Sequence, residues 1–367
     1  MNDRVLNFSA GPATLPPSVL EEAQRDLVSL PGVGASPLEV SHRGDWFEGV
    51  IEEAQRNLRD LLDIPDTHAV VFCQGGASLQ FSMVAMNLLR GTGRPADYLV
   101  TGSWGEKAVK EAQKEGTVRV AWSGAGQGFA RVPAPEDYAD ALSGDAAYVH
   151  VTSNETIQGV EWSELPVAPE GIPLTADMSS DFLSRPVDMA RFGVIYAGAQ
   201  KNAGPAGVTT VIVDRAILPR IPDGLPSMLD YRTYVDGGSM YNTPPVFSIY
   251  ILMLVTRWLR DEVGGLDTQH EVNREKAGLL YDEIDGSDGF YRGHADAGSR
   301  SLMNVTWRLP TEDLEAAFVA EAAAADMVEL RGHRSVGGIR ASLYNAMPVD
   351  GARTLAAFMR SFAASHA

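Results

Sequence analysis

The chain has 367 residues, 45% of them hydrophobic and 21% charged, as in a globular protein with room for one large and one smaller domain. Its 36 Gly and 21 Pro are too few for a collagen-like or low-complexity class. A formal net charge of −18 argues against nucleic-acid or anionic-membrane binding, since both need clustered Lys and Arg.

The N-terminal segment MNDRVLNFSAGPATLPPS lacks the basic stretch and apolar core of a signal peptide, and the longest apolar run, 246–255, is too short to span a bilayer. A cytoplasmic protein is expected. Pro16-Pro17-Ser18 opens a helical pattern to about Leu30. Asp45, with Glu48 three residues on, reads as a capping-box-like start for a helix to Leu62. From Ala69 short apolar runs alternate with amphipathic stretches: runs at 69–73, 97–101, 117–122, 146–151, 173–178, 193–199 and 207–213, with helices at 77–89 and 104–115. Continuous apolar strands between helices predict an α/β fold, a mostly parallel sheet of about seven strands covered on both faces. Beyond Pro244-Pro245 the texture shifts to helices at 246–262, 312–324 and 350–364 and strands near 303–308 and 339–343, a smaller α+β unit. The expected division is a large domain over 16–260 and a small one formed by 1–15 with 261–367.

Three segments carry chemistry. In Tyr196-Ala-Gly-Ala-Gln-Lys-Asn-Ala-Gly-Pro-Ala-Gly207 an apolar strand ends at Lys201. Such a lysine can attack a carbonyl, or can be an ordinary loop lysine. Thr175-Ala-Asp177-Met-Ser-Ser180 sets one acid at a strand's carboxyl end, where α/β sheets bind ligands and where an aspartate can also cap a helix. Together the two suit pyridoxal phosphate, which needs a lysine for covalent attachment and a carboxylate against its ring nitrogen. Gln74-Gly-Gly-Ala77-Ser78, between a strand and a helix, suits the cofactor's phosphate, or is a tight turn. Trp104 can stack on a flat ring or fill the core. Gly124-Ala-Gly-Gln-Gly128 lacks the dinucleotide fingerprint and reads as a loop. The single cysteine, Cys73, excludes an internal disulfide, and no metal site is expected, as no His pair has helical ligand spacing.

At this point the sequence resembles the phosphoserine aminotransferases, of the aspartate-aminotransferase fold group. The matching stretches are Asn7-Phe-Ser-Ala-Gly-Pro12, Glu39-Val-Ser-His-Arg-Gly44, Gly75-Gly76, Asn154-Glu-Thr156, Ala176-Asp-Met-Ser-Ser180 and Ile195-Tyr-Ala-Gly-Ala-Gln-Lys-Asn202. Gly238-Ser-Met-Tyr-Asn-Thr-Pro-Pro245, Gly332-His-Arg-Ser-Val-Gly-Gly338 and Arg340-Ala-Ser-Leu-Tyr-Asn-Ala-Met-Pro348 follow in order, so the resemblance covers the whole chain. It implies that Lys201 holds the cofactor, Asp177 pairs with the ring nitrogen, Thr156 bonds the phenolic oxygen and Trp104 stacks on the ring. Ala77 and Ser78 would bind the phosphate with Gln200 beside it. Asn242 and Thr243 would complete the phosphate cup from the other subunit of an obligate homodimer. Ser9 and Arg43 look like substrate contacts. Some relatives carry arginine where this chain has Ser78, so a hydroxyl and backbone N–H groups do that work here.

The implied reaction is a ping-pong transamination between phosphoserine or 3-phosphohydroxypyruvate and 2-oxoglutarate or glutamate, in serine biosynthesis, with pyridoxine biosynthesis a second candidate role. Both amino acids carry an α-carboxylate, for which Arg340 is the bidentate candidate. His42-Arg43 and His333-Arg334 are the candidates for the distal phosphate or γ-carboxylate, although exposed arginines also form ordinary surface ion pairs. A cysteine desulfurase is disfavoured because Cys73 sits within an apolar strand. An alanine–glyoxylate-type transaminase stays an alternative, a dehydrogenase lacks its glycine fingerprint, and a non-enzymatic scaffold would be expected to lack Lys201 or Asp177.

Overall fold

A computed structural model describes residues 4–366; the outermost residues of the expected small domain, 1–3 and 367, lie outside the described residues. Seven strands form the central sheet: β1 (His68–Cys73), β2 (Ala96–Val100), β3 (Val118–Ser123), β4 (Val149–Thr152), β5 (Leu174–Asp177), β6 (Phe192–Gly198) and β7 (Thr209–Asp214). Their spatial order is β1-β7-β6-β5-β4-β2-β3. All neighbours run parallel except β7, antiparallel to both β1 and β6. The continuous apolar runs read from the sequence are these strands. β1 and β6 are buried at every residue, whereas β3, at the edge, is half exposed, as one uncovered side requires.

Helices α1 (Pro17–Asp26) and α2 (Asp45–Leu62) cover one face, and α3 (Gly76–Leu88) and α4 (Ser103–Ala112) the other. The first helix stops short of Leu30. Gly32 and Gly34 take φ of +76°, in the left-handed region that ends regular helix, and the 27–41 segment turns along the surface. The capping box expected at Asp45 does not form. Gly44 is the N-cap, Asp45 is the first helical residue, and Asp45 and Glu48 sit in the first turn, where their charge opposes the helix dipole.

Beyond the sheet, α5 (Val246–Trp258) is buried nearly all round, and it passes into a π-helical turn over Leu259–Val263 before Gly264 ends it. Then come α6 (Leu266–Asp285), α7 (Glu312–Ala324) and α8 (Val349–His366), with β8 (Asn304–Arg308) antiparallel to β9 (Ile339–Ser342). Leu6–Asn7 runs parallel to Met327–Val328, and Phe8 lies in the cluster built by Trp307, Phe318, Leu343 and Phe362. The chain's start therefore packs with its end. Side-chain packing changes clusters between Leu266 and Ala277, and on that ground we propose the two-part division, with the seam a few residues beyond 260.

Candidate active site

The sheet brings Asp177 and Lys201 together at the carboxyl ends of two central strands. β5 and β6 are parallel neighbours in which Asp177 pairs with Tyr196, so Asp177 and the loop after β6 emerge side by side. Lys201 lies three residues past the end of β6. Its amine donates to Thr156 Oγ1 at 2.7 Å and stands 5.9 Å from the centre of the Trp104 indole. Burial lowers the Lys201 amine to about 8, opposed by the Asp177 carboxylate. Burial pushes Asp177 above the usual carboxylate range, Lys201 pulls it back, and its Oδ1 accepts from the Ser179 backbone N–H at 2.9 Å.

β1 leads through Gln74 into Gly75 and Gly76, with φ of +88° and +65°, and then into α3. No side chain caps this helix, and nothing lies within 4 Å of where a Cβ at Gly76 would stand. The N–H groups of Ala77 and Ser78 lie in the first turn of a helix that no side chain caps, a favourable cradle for a phosphate. Cys73, just before it, is fully buried, and burial pushes its thiol far above the usual range. This is the inert core thiol expected.

The N-terminal segment crosses the lysine. Ala13 N donates to the Gln200 carbonyl at 2.9 Å, and a Cβ at Gly11 would come within 3.3 Å of Lys201 Cγ. Ser9 stands on this segment, its hydroxyl accepting from Gly11 N at 3.3 Å. Tyr344, just past β9, fastens the segment by donating to the Ala10 carbonyl at 2.8 Å.

Arg340, on β9, reaches the carbonyl of Thr156 at 3.5 Å. Its Nε is shielded and unpaired, and no carboxylate lies within salt-bridge distance of it among the described residues. Burial lowers its pKa, opposed by Tyr344 and by the Glu329 charge. His333 is held by Ser335, whose hydroxyl lies 2.7 Å from Nδ1, and it is kept below the ordinary histidine range by burial and by Arg340, Lys107 and Arg334.

Other predicted residues are not gathered in one chain. His42 and Arg43 precede α2, with no hydrogen bond from their side chains to Lys201, Thr156 or Arg340 among the described residues; His42 Nε2 is shielded and unpaired. Asn242 and Thr243 stand on a partly exposed loop beside Tyr241, 57% exposed, and the Thr243 carbonyl accepts from Gln74 at 3.4 Å. Glu155, Gln158, Lys107 and Lys276 had no role in the sequence reading. Lys107 Nζ lies 3.8 Å from the centre of the Trp104 ring. Its i, i+3 spacing from Trp104 on one helix was the available signal.

The family profile described as aminotransferase class-V matches residues 5–355. The chain belongs to the class-V aminotransferases. It is 51% identical over 364 residues to a phosphoserine aminotransferase of Rhodopirellula baltica, covering 99% of this chain and 96% of that one. It is also similar to the solved phosphoserine aminotransferase of Bacillus circulans subsp. alkalophilus, with a TM-score of 0.96, 48% identity and all of both chains covered. A structure of the Trichomonas vaginalis phosphoserine aminotransferase with pyridoxal phosphate bound gives a TM-score of 0.91 at 38% identity, over 97% of this chain and 100% of that one.

The residues present fit that cofactor. A free helix N-terminus with two left-handed glycines suits its phosphate, a buried carboxylate its ring nitrogen, a hydroxyl beside the lysine its phenolic oxygen, and an indole its face. Among the described residues no His, Cys, Asp and Glu cluster could hold a metal ion, and no helix is long and apolar enough to cross a membrane.

Proposed function

We propose that this chain is a pyridoxal-phosphate-dependent phosphoserine aminotransferase, exchanging an amino group between O-phospho-L-serine and 2-oxoglutarate in serine biosynthesis. Arg340 carries the reading. A guanidinium enclosed without a carboxylate partner, touching the Thr156 carbonyl beside Lys201, is the receptor for a substrate α-carboxylate. Both amino-acid substrates bring one, so a single arginine serves both half-reactions.

Bound pyridoxal phosphate would supply the sink for the electrons released at the substrate Cα. Asp177 would stay anionic against the ring nitrogen, and Thr156 and Trp104 would fix the plane of the ring. Lys201 Nζ, lowered by burial to about 8, has a free-base fraction near neutral pH and would take the proton from the substrate Cα. The same amine would return a proton in the reverse half-reaction.

The distal phosphate of phosphoserine or γ-carboxylate of glutamate would meet His333 and Arg334. Ser9, His42 and Arg43 would complete that site, and Asn242 and Thr243 would reach the phosphate cup of a second copy in a homodimer. Their exposure in one chain supports such a role across an interface. Residues Ala77, Ser78 and Gln200 would line the phosphate cradle, and the cytoplasm would be the working compartment. Purified protein supplied with pyridoxal phosphate, phosphoserine and 2-oxoglutarate should form glutamate. No glutamate from the wild type, with a loss of phosphoserine no faster than in Lys201→Ala, would overturn the function.

A further inference from the structure

Helix α4, which carries Trp104, begins at a residue that cannot cap it: Gly102 is the N-cap and has no side chain to accept a hydrogen bond. The acceptors come from a hairpin distant in sequence, Asn154–Glu155 paired with Val160–Glu161. Glu155 Oε2 accepts from Trp104 N at 2.9 Å and Oε1 from Gly105 N at 2.8 Å. Gln158, in the same hairpin, accepts from Ser103 N at 3.4 Å and donates to the Ser103 hydroxyl at 2.7 Å. Three successive N–H groups of the first turn are thus satisfied by one hairpin.

The Gly-Ser-Trp-Gly sequence is shaped to admit that carboxylate. A Cβ at Gly102 would lie 2.5 Å from Glu155 Cδ, and one at Gly105 would lie 3.3 Å from Oε1. Gly102 has φ of 178°, an extended backbone open to any residue, so the demand for glycine there is space for Glu155. Glu155 is fully buried, and its next residue, Thr156, receives the Lys201 hydrogen bond.

We propose that Glu155 is a positioning residue of this active site: its carboxylate locks the Trp104 turn to the hairpin that carries Thr156, and so fixes the indole and the hydroxyl relative to each other and to Lys201. The proposal rests on the aminotransferase reading above for what those groups receive. A second consequence is electrostatic. Burial pushes Glu155 up to about 7, the N–H groups of Gly105 and Trp104 hold it down, Asp177 raises it and Lys201 lowers it. Asp177 on β5 and Lys201 after β6 are the charged groups with the largest effect on it, whereas α4 reaches it with backbone N–H. Above pH 7 the carboxylate is mostly ionised and favours the ammonium form of Lys201.

The test uses full-length protein stripped of cofactor, in wild type, Glu155→Gln, Gly102→Ala and, as an uncharged control on the same seam, Gln158→Leu. Lys201 reactivity toward a small acylating reagent, followed by peptide mapping, gives the pH midpoint of its amine. In Glu155→Gln the midpoint should fall, by on the order of half a pH unit, because a negative charge near the ammonium is gone. In Gln158→Leu it should hold. On adding pyridoxal phosphate, the induced circular dichroism of the cofactor band should drop at least about twofold in Glu155→Gln and in Gly102→Ala, since both displace the indole that faces the ring. A lower melting temperature in Glu155→Gln with the midpoint and the band unchanged would reduce Glu155 to a helix cap and overturn the proposal. If Glu155→Gln does not fold, an unaltered band in Gly102→Ala overturns it alone. Wild-type protein that captures no pyridoxal phosphate would instead overturn the proposed function, and the acylation midpoint would still decide whether Glu155 acts on Lys201.

Discussion

The Lys201 amine donates to Thr156 Oγ1 at 2.7 Å. The two residues come from different elements, one after β6 and the other from the hairpin beyond β4. Because burial lowers that amine to about 8, capture of pyridoxal phosphate by cofactor-free protein should accelerate as pH rises through 8 and level off above it, where an ordinary lysine would keep gaining to 10.5. Stopped-flow absorbance from pH 6 to 10 checks this. Lys201→Arg should abolish borohydride-trappable attachment while leaving the fold intact.

Arginine 340 and arginine 334 should divide the substrate between them. Arg340→Ala should lower kcat/KM for phosphoserine, glutamate and alanine alike, since each carries an α-carboxylate. Arg334→Ala should damage phosphoserine more than alanine, which has no distal anion. One charge-assisted bond to a charged group is worth about 1.5–3 kcal/mol, roughly ten- to hundredfold in rate. Lysine at 340 should rescue poorly, because a point charge lacks the bidentate fork. Equal losses for all three substrates in Arg334→Ala would refute the division.

Lys276 makes folding pH-dependent. It is fully buried and donates to the carbonyls of Leu343 at 2.8 Å and Tyr344 at 2.9 Å, in the segment that follows β9 and Arg340. Burial lowers it to about 7 from the ordinary 10.5. Between those values the unfolded chain binds more protons than the native one. The contribution of Lys276 to stability therefore rises with pH from about 7 to about 10.5, by at most about 1.4 kcal/mol per pH unit. Urea unfolding of wild type minus Lys276→Met should show that rise between pH 7 and 9.5. A flat difference would be inconsistent with a buried, pH-sensitive amine.

If Asn242 and Thr243 reach a second copy's phosphate cup, cofactor and assembly are linked. Saturating pyridoxal phosphate should tighten the dimer by roughly tenfold or more, and Asn242→Ala/Thr243→Ala should erase that gain and weaken cofactor binding by about tenfold. Sedimentation velocity at submicromolar protein, with and without cofactor, gives both numbers. A monomer with undiminished cofactor affinity would contradict the shared site.

Much of the site was legible because each element announces itself locally. A seven-strand α/β pattern is a matter of period and run length, and strands buried on both faces leave continuous apolar runs such as 69–73 and 193–199. The carboxyl ends of such strands are where ligands bind, so Asp177 and Lys201 could be placed together from their position after two adjacent runs. Helix ends were less legible. Asp45 and Glu48 have the spacing of a capping box, yet Gly44 caps the helix, and the first helix ends before Leu30 because the 27–41 segment turns through two left-handed glycines.

The sequence by itself determined the strand and helix inventory, the lysine–aspartate pair and the anion-binding chemistry of the arginines, because these depend on residue type and short-range spacing. Only the tertiary structure decided that Glu155 caps the helix of Trp104 from 51 residues away, that the buried Nε of Arg340 is left unpaired, and that Lys276 holds the carbonyls behind it. The physical reason is the same in each case. A side chain's charge state and function depend on which dipoles and charges surround it once water is excluded, and those partners are assembled by long-range packing that leaves no periodic trace along the chain.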